Sequence, residues 1–324
     1  MQKYDHENIR NILTLRYDPT KKSAIKPLSS NDFLPKEILN IEVEIIKRFK
    51  EKLLKDQHDL NFKKISLSLS GGIDSGITLT SIRKILPDVK ICCIGMGFGN
   101  KDDEVERAKE LARIYDCDFD ELIKEDILSD LPKFIEIVKE PRWNLYNFYP
   151  LEIGKKNSDV FYSGDGGDEL FGGYTFRLKK FLTLFREGMN WEEKAKLYLD
   201  CHERDWVPDQ EEMFGAKIQF SWKNIYQLFK PFFDNDLSPI DQVFLSDFNG
   251  KLLYDWNPTN ISYEKFFDIS IKSIFLSNEI IKFATHVDII NPFPLQYSFN
   301  FLCVSTSNCS IAYFFSSFIT FILF

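Results

Sequence analysis

Metal-binding and redox signatures are scarce in this 324-residue chain. Six cysteines, at 92, 93, 117, 201, 303 and 309, fall in no CxxC spacing, and the four histidines form no HxxxH pair. A zinc site is therefore unsupported, and the thiols read as reduced, as expected of a cytoplasmic protein. Positive charge is also short: 41 Lys and Arg face 49 Asp and Glu, for a net charge of −8. That balance excludes the broad basic face of an ordinary nucleic-acid binder. The opening residues Met1-Gln2-Lys3-Tyr4-Asp5-His6 lack the apolar run of a signal peptide. Phenylalanine is what the chain has in quantity: 31 Phe bring the aromatic share to 15%. With 44% hydrophobic and 28% charged residues, the composition is that of a folded protein with a substantial core.

Residues 1–60 read as an N-terminal extension. Its first 35 residues are polar and punctuated by Pro19, Pro27 and Pro35. An amphipathic helix is predicted over 36–55, where Ile38, Ile41, Ile45, Phe49 and Leu53 fall at helical spacing. Strands are then predicted at 65–69, 90–94, 119–123 and 160–162, separated by helices at 77–86, 102–115 and 127–138. This alternation predicts an α/β fold, a parallel sheet with helices on both faces. Residues 177–288 read as mostly helical, giving a helical C-terminal half in which the Phe-rich stretch 228–276 packs helix on helix. Cys92-Cys93 reads as core, and Cys201-His202 as a surface coincidence rather than a nucleophile pair. The main domain is expected to span 61–290. Beyond Asp288 no charged residue remains, and 291–324 form an uncharged hydrophobic tail. The tail is long enough for a membrane anchor, yet it carries Ser, Thr and Asn and no flanking basic residues. An out-of-frame end and a buried C-terminal element stay open beside that reading.

Two glycine-rich loops carry the chemistry. The first, Ser70-Gly71-Gly72-Ile73-Asp74-Ser75, follows a strand and opens a helix. Its glycines let backbone N–H groups approach a polyanion, its serines add donors, and the helix directs its positive end at the same point. Asp74 suits such a loop only if a divalent cation sits between it and the phosphates. The Walker lysine pattern is missing. The second loop, Ser163-Gly164-Asp165-Gly166-Gly167-Asp168-Glu169-Leu170-Phe171-Gly172-Gly173-Tyr174, also follows a short apolar strand and holds three carboxylates. It lacks the calcium-loop ligand spacing. Facing each other, the loops make a magnesium-nucleotide site.

Together, "SGGIDS" and "SGDGGDELFGGY" resemble the synthetase domain of the asparagine synthetases, members of the ATP-pyrophosphatase (PP-loop) family, over roughly residues 60–295. The resemblance implies an adenine-nucleotide α-hydrolase-like fold and a set of roles. Ser70, Gly71, Gly72, Asp74 and Ser75 would cradle pyrophosphate. Leu69, Ile94, Ser163 and Gly164 would line the rest of the ATP, Ile94 against adenine. Asp74 and Asp168 would hold Mg2+. Asp165 takes the place of the family's glutamate, which brings in ammonia and takes its proton, with a reach shorter by one methylene. Glu169 and Tyr174 would lie beside the substrate. The implied reaction joins aspartate to ammonia: ATP activates the side-chain carboxylate as β-aspartyl-AMP, releasing pyrophosphate, and ammonia displaces AMP to leave asparagine.

The chain also departs from the family. Gln2 stands where the family's glutamine-hydrolysing cysteine would begin the chain, and only 69 residues precede the first loop. Ammonia is therefore expected from the free pool or from a separate glutaminase subunit. The family's RxPFLD segment is sought at Val287–Phe293, where Ile290 replaces the arginine and Pro294-Leu295 replaces Leu-Asp. No lysine follows Lys282, so the family's later phosphate-contacting lysine has no counterpart. Two alternatives accompany the asparagine reading: another amide ligase on this scaffold (a β-lactam or peptide-modifying synthetase), or a catalytically impaired nucleotide-binding relative. A homodimer and membrane attachment through the tail are left open.

Overall fold

In this computed structural model the described residues are 5–36, 38, 40–99, 103–202, 210–218 and 220–287. The tail 291–324 and the Pro292-Phe293 pair lie outside them. Five strands build the sheet: β1 (Lys64–Ser68), β2 (Lys90–Phe98), β3 (Asp118–Lys124), β4 (Val160–Ser163) and β5 (Ser270–Ser273). Their order is β3-β2-β1-β4-β5, and every neighbouring pair is parallel. The chain steps outward from β1 through β2 to β3, then returns to pair β4 on the other side of β1. Such a reversal opens a crevice at the carboxyl ends of the two strands, where ligands of open α/β sheets bind.

The alternating pattern of the strands explains why both faces are covered. Ile65, Leu67, Ile91, Cys93, Val160 and Tyr162 share one apolar cluster with residues of α2 (Ile41–Leu60), α3 (Ile73–Ile85) and α4 (Asp103–Ile114). Ile94 and Phe161 point the opposite way, into Phe134 of α5 (Leu131–Val138) and Phe148 and Leu151 of α6 (Phe148–Asn157). Burying each such side chain contributes roughly 1.5–3 kcal/mol. Cys92 and Cys93 are core residues, as the sequence implied.

After β4 come α7 (Gly167–Phe171), α8 (Thr175–Leu184), α9 (Trp191–Asp200), two single turns (α10, Gln210–Met213; α11, Gly215–Ile218), α12 (Trp222–Phe233) and α13 (Pro239–Asp247). A π-helical stretch, Phe248–Trp256, leads into α14 (Asn257–Phe267), and α15 (Asn278–Ala284) follows β5. This half is helical as expected, and Phe229, Phe233, Phe244, Phe248 and Phe275 are buried in it. The exception is β5, an edge strand inside the stretch read as helical. Its four residues, Ser-Ile-Lys-Ser, are too few and too polar to show strand alternation. The sheet edge supplied by β4 is what draws them into extended form.

Two further differences have plain causes. The amphipathic helix α2 begins at Ile41, not at 36, because Lys36 is drawn into extended pairing with Val287 and its N–H donates to the His286 carbonyl at 2.9 Å. It ends at Leu60, capped by Asn61 in the left-handed region at φ 47°. Cys201 is not a surface residue: it is buried in the larger core cluster, while the His202 ring bonds the Tyr198 carbonyl at 2.7 Å. The N-terminal segment, α1 (His6–Leu15) and the chain after it, lies on the helical half. Asn249 fastens it by donating to the Leu28 carbonyl at 2.8 Å and accepting from the Leu28 N–H at 2.9 Å. No helix among the described residues is long and apolar enough to cross a membrane.

Candidate active site

Because β1 and β4 are adjacent and parallel, the loops that follow them leave the same rim. The first loop is shaped by its own hydroxyls. The Ser70 N–H donates to Ser75 Oγ at 3.2 Å, the two serine hydroxyls are 3.1 Å apart, and the Gly72 N–H donates to Ser70 Oγ at 3.3 Å. Gly71 takes φ +70°, and a Cβ there would stand 2.5 Å from the Glu104 carbonyl of α4, so the turn admits no side chain. The loop lies open at Ser70, Gly72 and Ile73 and buries Ser75.

The second loop is pressed onto the first. A Cβ on Gly164 would lie 2.9 Å from the Ser75 nitrogen and 3.0 Å from the Asp74 carbonyl carbon. A Cβ on Gly167 would lie 2.3 Å from the Asp74 carboxyl carbon. The Asp168 backbone N–H donates to the Asp74 carboxylate. The two aspartates expected to share an ion are therefore neighbours. Burial, and then the negative charges of Asp168 and Glu169, push Asp74 up to about 8. These contacts separate two glycine substitutions. Gly164→Ala meets backbone, so it should lower stability by about 1–3 kcal/mol, read in a thermal melt. Gly167→Ala meets only the end of a side chain that can swing away. It should melt near the wild-type temperature while losing, by calorimetry, at least tenfold in affinity for the magnesium-nucleotide that the two loops are expected to hold.

The remaining carboxylates are held separately. Asp165 accepts from Asn260 Nδ2 at 2.9 Å, and its own carbonyl accepts from Ser273 Oγ at 2.6 Å. Burial raises its carboxyl above the ordinary range, opposed by Asn260 and the charge of Lys251. Asp168 is likewise raised by burial and lowered by Lys251 and Arg177. Glu169 is only 3% exposed and is raised to about 7 by burial. Tyr174 donates to Glu169 at 2.6 Å, and Lys251 Nζ donates to the Tyr174 hydroxyl at 2.7 Å. Tyr174 lines an open cleft of about 480 Å³ with Arg16, Trp143, Asn144, Tyr146, Asp168, Gly173, Phe176 and Arg177. Glu169 stands behind that wall.

Leu69 and Ile94 stand where β1 and β2 run side by side toward the rim. They are 1% and 0% exposed, inside the core, and the Leu69 N–H donates to the Ile94 carbonyl at 2.9 Å. A purine in the crevice would meet their backbone rather than their side chains. Ser163, at the end of β4, is nearly buried. Lys251, Asn260, Arg16 and Arg177 were missed. They sit in no motif, and the one local signal is the π-helical stretch that carries Lys251, a backbone form frequent at functional sites.

An open parallel sheet with two glycine-bearing loops interlocked at its topological reversal defines a nucleotide-binding α/β protein. The chain belongs to the asparagine synthase family, whose sequence profile matches residues 56–255. Asparagine synthetase [glutamine-hydrolyzing] 1 of Bacillus subtilis is 26% identical over 177 residues, covering 49% of this chain and 27% of that protein. The provisionally named asparagine synthetase [glutamine-hydrolyzing] 2 of Methanocaldococcus jannaschii is 32% identical over 127 residues, covering 35% of this chain and 23% of that protein. The chain thus spans about a quarter of the length of the curated relatives it matches. Among solved structures, the NH3-dependent NAD synthetase from Campylobacter jejuni is similar, with a TM-score of 0.33 at 19% identity over 66% of this chain and 97% of that one.

Proposed function

We propose that this site is that of an ATP-dependent amide ligase that adenylates aspartate and passes it to ammonia. The interlock of the two loops carries the reading. It brings Asp74, Asp165, Asp168 and Glu169 to one rim, with the charge of Lys251 near the last three. Among the described residues no three His, Cys, Asp or Glu side chains converge as a ready-made metal cage. Two aspartates with the phosphates of a nucleotide are the donor set that Mg2+ accepts, so the residues fit that ion. Held by Asp74 and Asp168, it would neutralise the charge of the departing pyrophosphate.

The chain's own groups do the rest. The exposed backbone of Gly72 and the Ser70 hydroxyl receive the phosphates, in the manner of glycine loops at helix N-termini. The acid lies in the cleft, where its carboxylate oxygen bonds to the α-phosphorus as the bond to pyrophosphate breaks. Ammonia then bonds to the acyl carbon as the bond to AMP breaks, and Asp165 takes the proton ammonia sheds. A raised carboxyl is suited to that transfer near neutral pH. Asp165→Asn should therefore leave the first half-reaction and block the second. Rapid quench should show one equivalent of pyrophosphate per site, with amide formation at least about 100-fold slower. Equal loss of both steps would remove Asp165 from that role.

The stretch Lys272-Ser273-Ile274-Phe275-Leu276-Ser277, which ends β5 and leads to α15, braces the second loop. Ser273 holds the Asp165 carbonyl, and Leu276 packs where a Cβ on Gly166 would stand 2.6 Å away. One observation favours a different acid on the same chemistry. The cleft walls include Trp143 and Phe176, each 48% exposed, with Tyr146 and Tyr174 between. A carboxylate carried on a larger apolar body would cover rings that aspartate leaves wet. Pyrophosphate release with aspartate compared with N-acylated aspartyl peptides separates the two.

A further inference from the structure

We infer that Cys117 is a modification site, a thiol that takes an oxygen atom from a small hydroperoxide and then closes a disulfide with Cys93. The pair lies away from the rim, toward the amino end of the sheet. Cys93 is an inner residue of β2 and is fully buried. Cys117 immediately precedes β3 and is half-buried, between the exposed Asp116 and Asp118. Both pack on the same apolar cluster, and their sulfurs are hydrogen-bonded to each other. Cys92 stands outside the pair: successive side chains of a strand leave opposite faces, and its thiol donates to the Asp120 carboxylate at 3.4 Å.

A fixed cation faces the outer sulfur. Arg83, on α3, donates from Nε to the Tyr115 carbonyl at 3.0 Å and from Nη1 to the Pro87 and Val89 carbonyls, each at 3.1 Å. Its Nη2 donates to the Asp116 carbonyl at 3.0 Å and to Cys117 Sγ at 3.3 Å. The other acceptors are neutral carbonyls, so the sulfur is the member of the set that can match the guanidinium with negative charge. A thiol beside a cation ionises more readily, and the thiolate is the nucleophile. The hydrogen bond from Cys93 and the charge of Arg83 hold Cys117 below the ordinary thiol range, against burial and the Asp116 charge. The same hydrogen bond, with burial, pushes Cys93 up, so it keeps its proton. As a neutral thiol Cys117 also donates to the Tyr115 carbonyl at 3.4 Å.

The two sulfurs therefore divide the work. The Cys117 thiolate bonds to one peroxide oxygen as the O–O bond breaks, and the departing oxygen takes a proton from solvent to leave as water or an alcohol. Sulfur is oxidised to a sulfenic acid and the peroxide is reduced. The Cys93 sulfur then bonds to the Cys117 sulfur as the S–O bond breaks, and the Cys93 proton leaves with that oxygen as water. Two thiols and one hydroperoxide give one disulfide, one water and the reduced remainder of the peroxide.

Hydrogen peroxide and tert-butyl hydroperoxide, each added to the reduced full chain before alkylation, trypsin digestion and mass spectrometry, test this. Residues 91–101 and 114–124 should appear as one linked peptide that dithiothreitol separates. The link should survive Cys92→Ala and vanish in Cys93→Ala, where dimedone should instead trap Cys117 as the sulfenic acid. Alkylation of Cys117 by iodoacetamide should rise with pH to a midpoint below the ordinary thiol value, roughly 8.5. Arg83→Met should move that midpoint up and slow the peroxide reaction at pH 7 by about tenfold or more. The wild-type alkylation profile decides the question should Arg83→Met fold poorly. Cys117 oxidising no faster than the buried Cys201, a midpoint at or above the ordinary value, or a link from Cys117 to any cysteine but Cys93 overturns the proposal.

Discussion

Asp74→Asn is expected to make the nucleotide-free protein more stable while cutting pyrophosphate release by about 1,000-fold or more. In the unfolded chain Asp74 titrates near the model-peptide value, roughly 3.9. In the fold, burial beside Asp168 and Glu169 pushes it up to about 8. Between those values the folded state keeps a proton that the unfolded state has released. Stability of the nucleotide-free protein therefore falls as pH rises from about 4 to 8. An amide at this position carries no such cost. A gain of about 2 kcal/mol above pH 7 corresponds to roughly 4–8 °C for a domain of this size. Glu169, raised to about 7, keeps part of the slope in the variant below that pH. Under the proposed function, Asp74 would hold the cation beside ATP in its ionised form, so wild-type affinity for Mg2+–ATP should climb with pH toward about 8, and Asp74→Asn should flatten the climb. A variant that melts lower, or that retains the rate, would contradict the charge balance described for this rim.

Lys251→Met should have the second-largest effect. The Lys251 charge lowers Asp165, Asp168 and Glu169 together, and its ammonium donates to the Tyr174 hydroxyl that fixes Glu169. Without it all three carboxyls rise, and more of the rim is protonated at neutral pH. A charge-assisted hydrogen bond is worth about 1.5–3 kcal/mol, so the rate at pH 7 should fall by roughly 10–100-fold. The midpoint of the pH–rate profile should move alkaline, and raising the pH should recover part of the rate. A uniform loss at every pH would show that Lys251 acts by contact alone.

The sheet and its rim could be read from sequence because local pattern and glycine chemistry agree there. Strands β1 and β4 are short apolar runs ending in loops that no ordinary turn explains, and adjacency then brings Asp74 to Asp168. What escaped reading depends on distance along the chain. Arg16 reaches the cleft through Asp255, and Asn260 reaches Asp165 across 95 residues. Neither pairing leaves a periodic trace. At Ile94 the alternation of β2 turns the side chain into the core, which its motif position alone does not show. Strand β5 was invisible because its partner, not its composition, makes it a strand.

The most direct measurement is phosphorus NMR of the full chain with ATP, Mg2+, aspartate and ammonia. Cleavage between the α and β phosphates predicts AMP and pyrophosphate appearing together, dependent on the acid and abolished in Asp168→Asn. ADP with inorganic phosphate, or AMP and pyrophosphate formed at the same rate without an acid, would contradict a site that joins a carboxylate to the α-phosphorus.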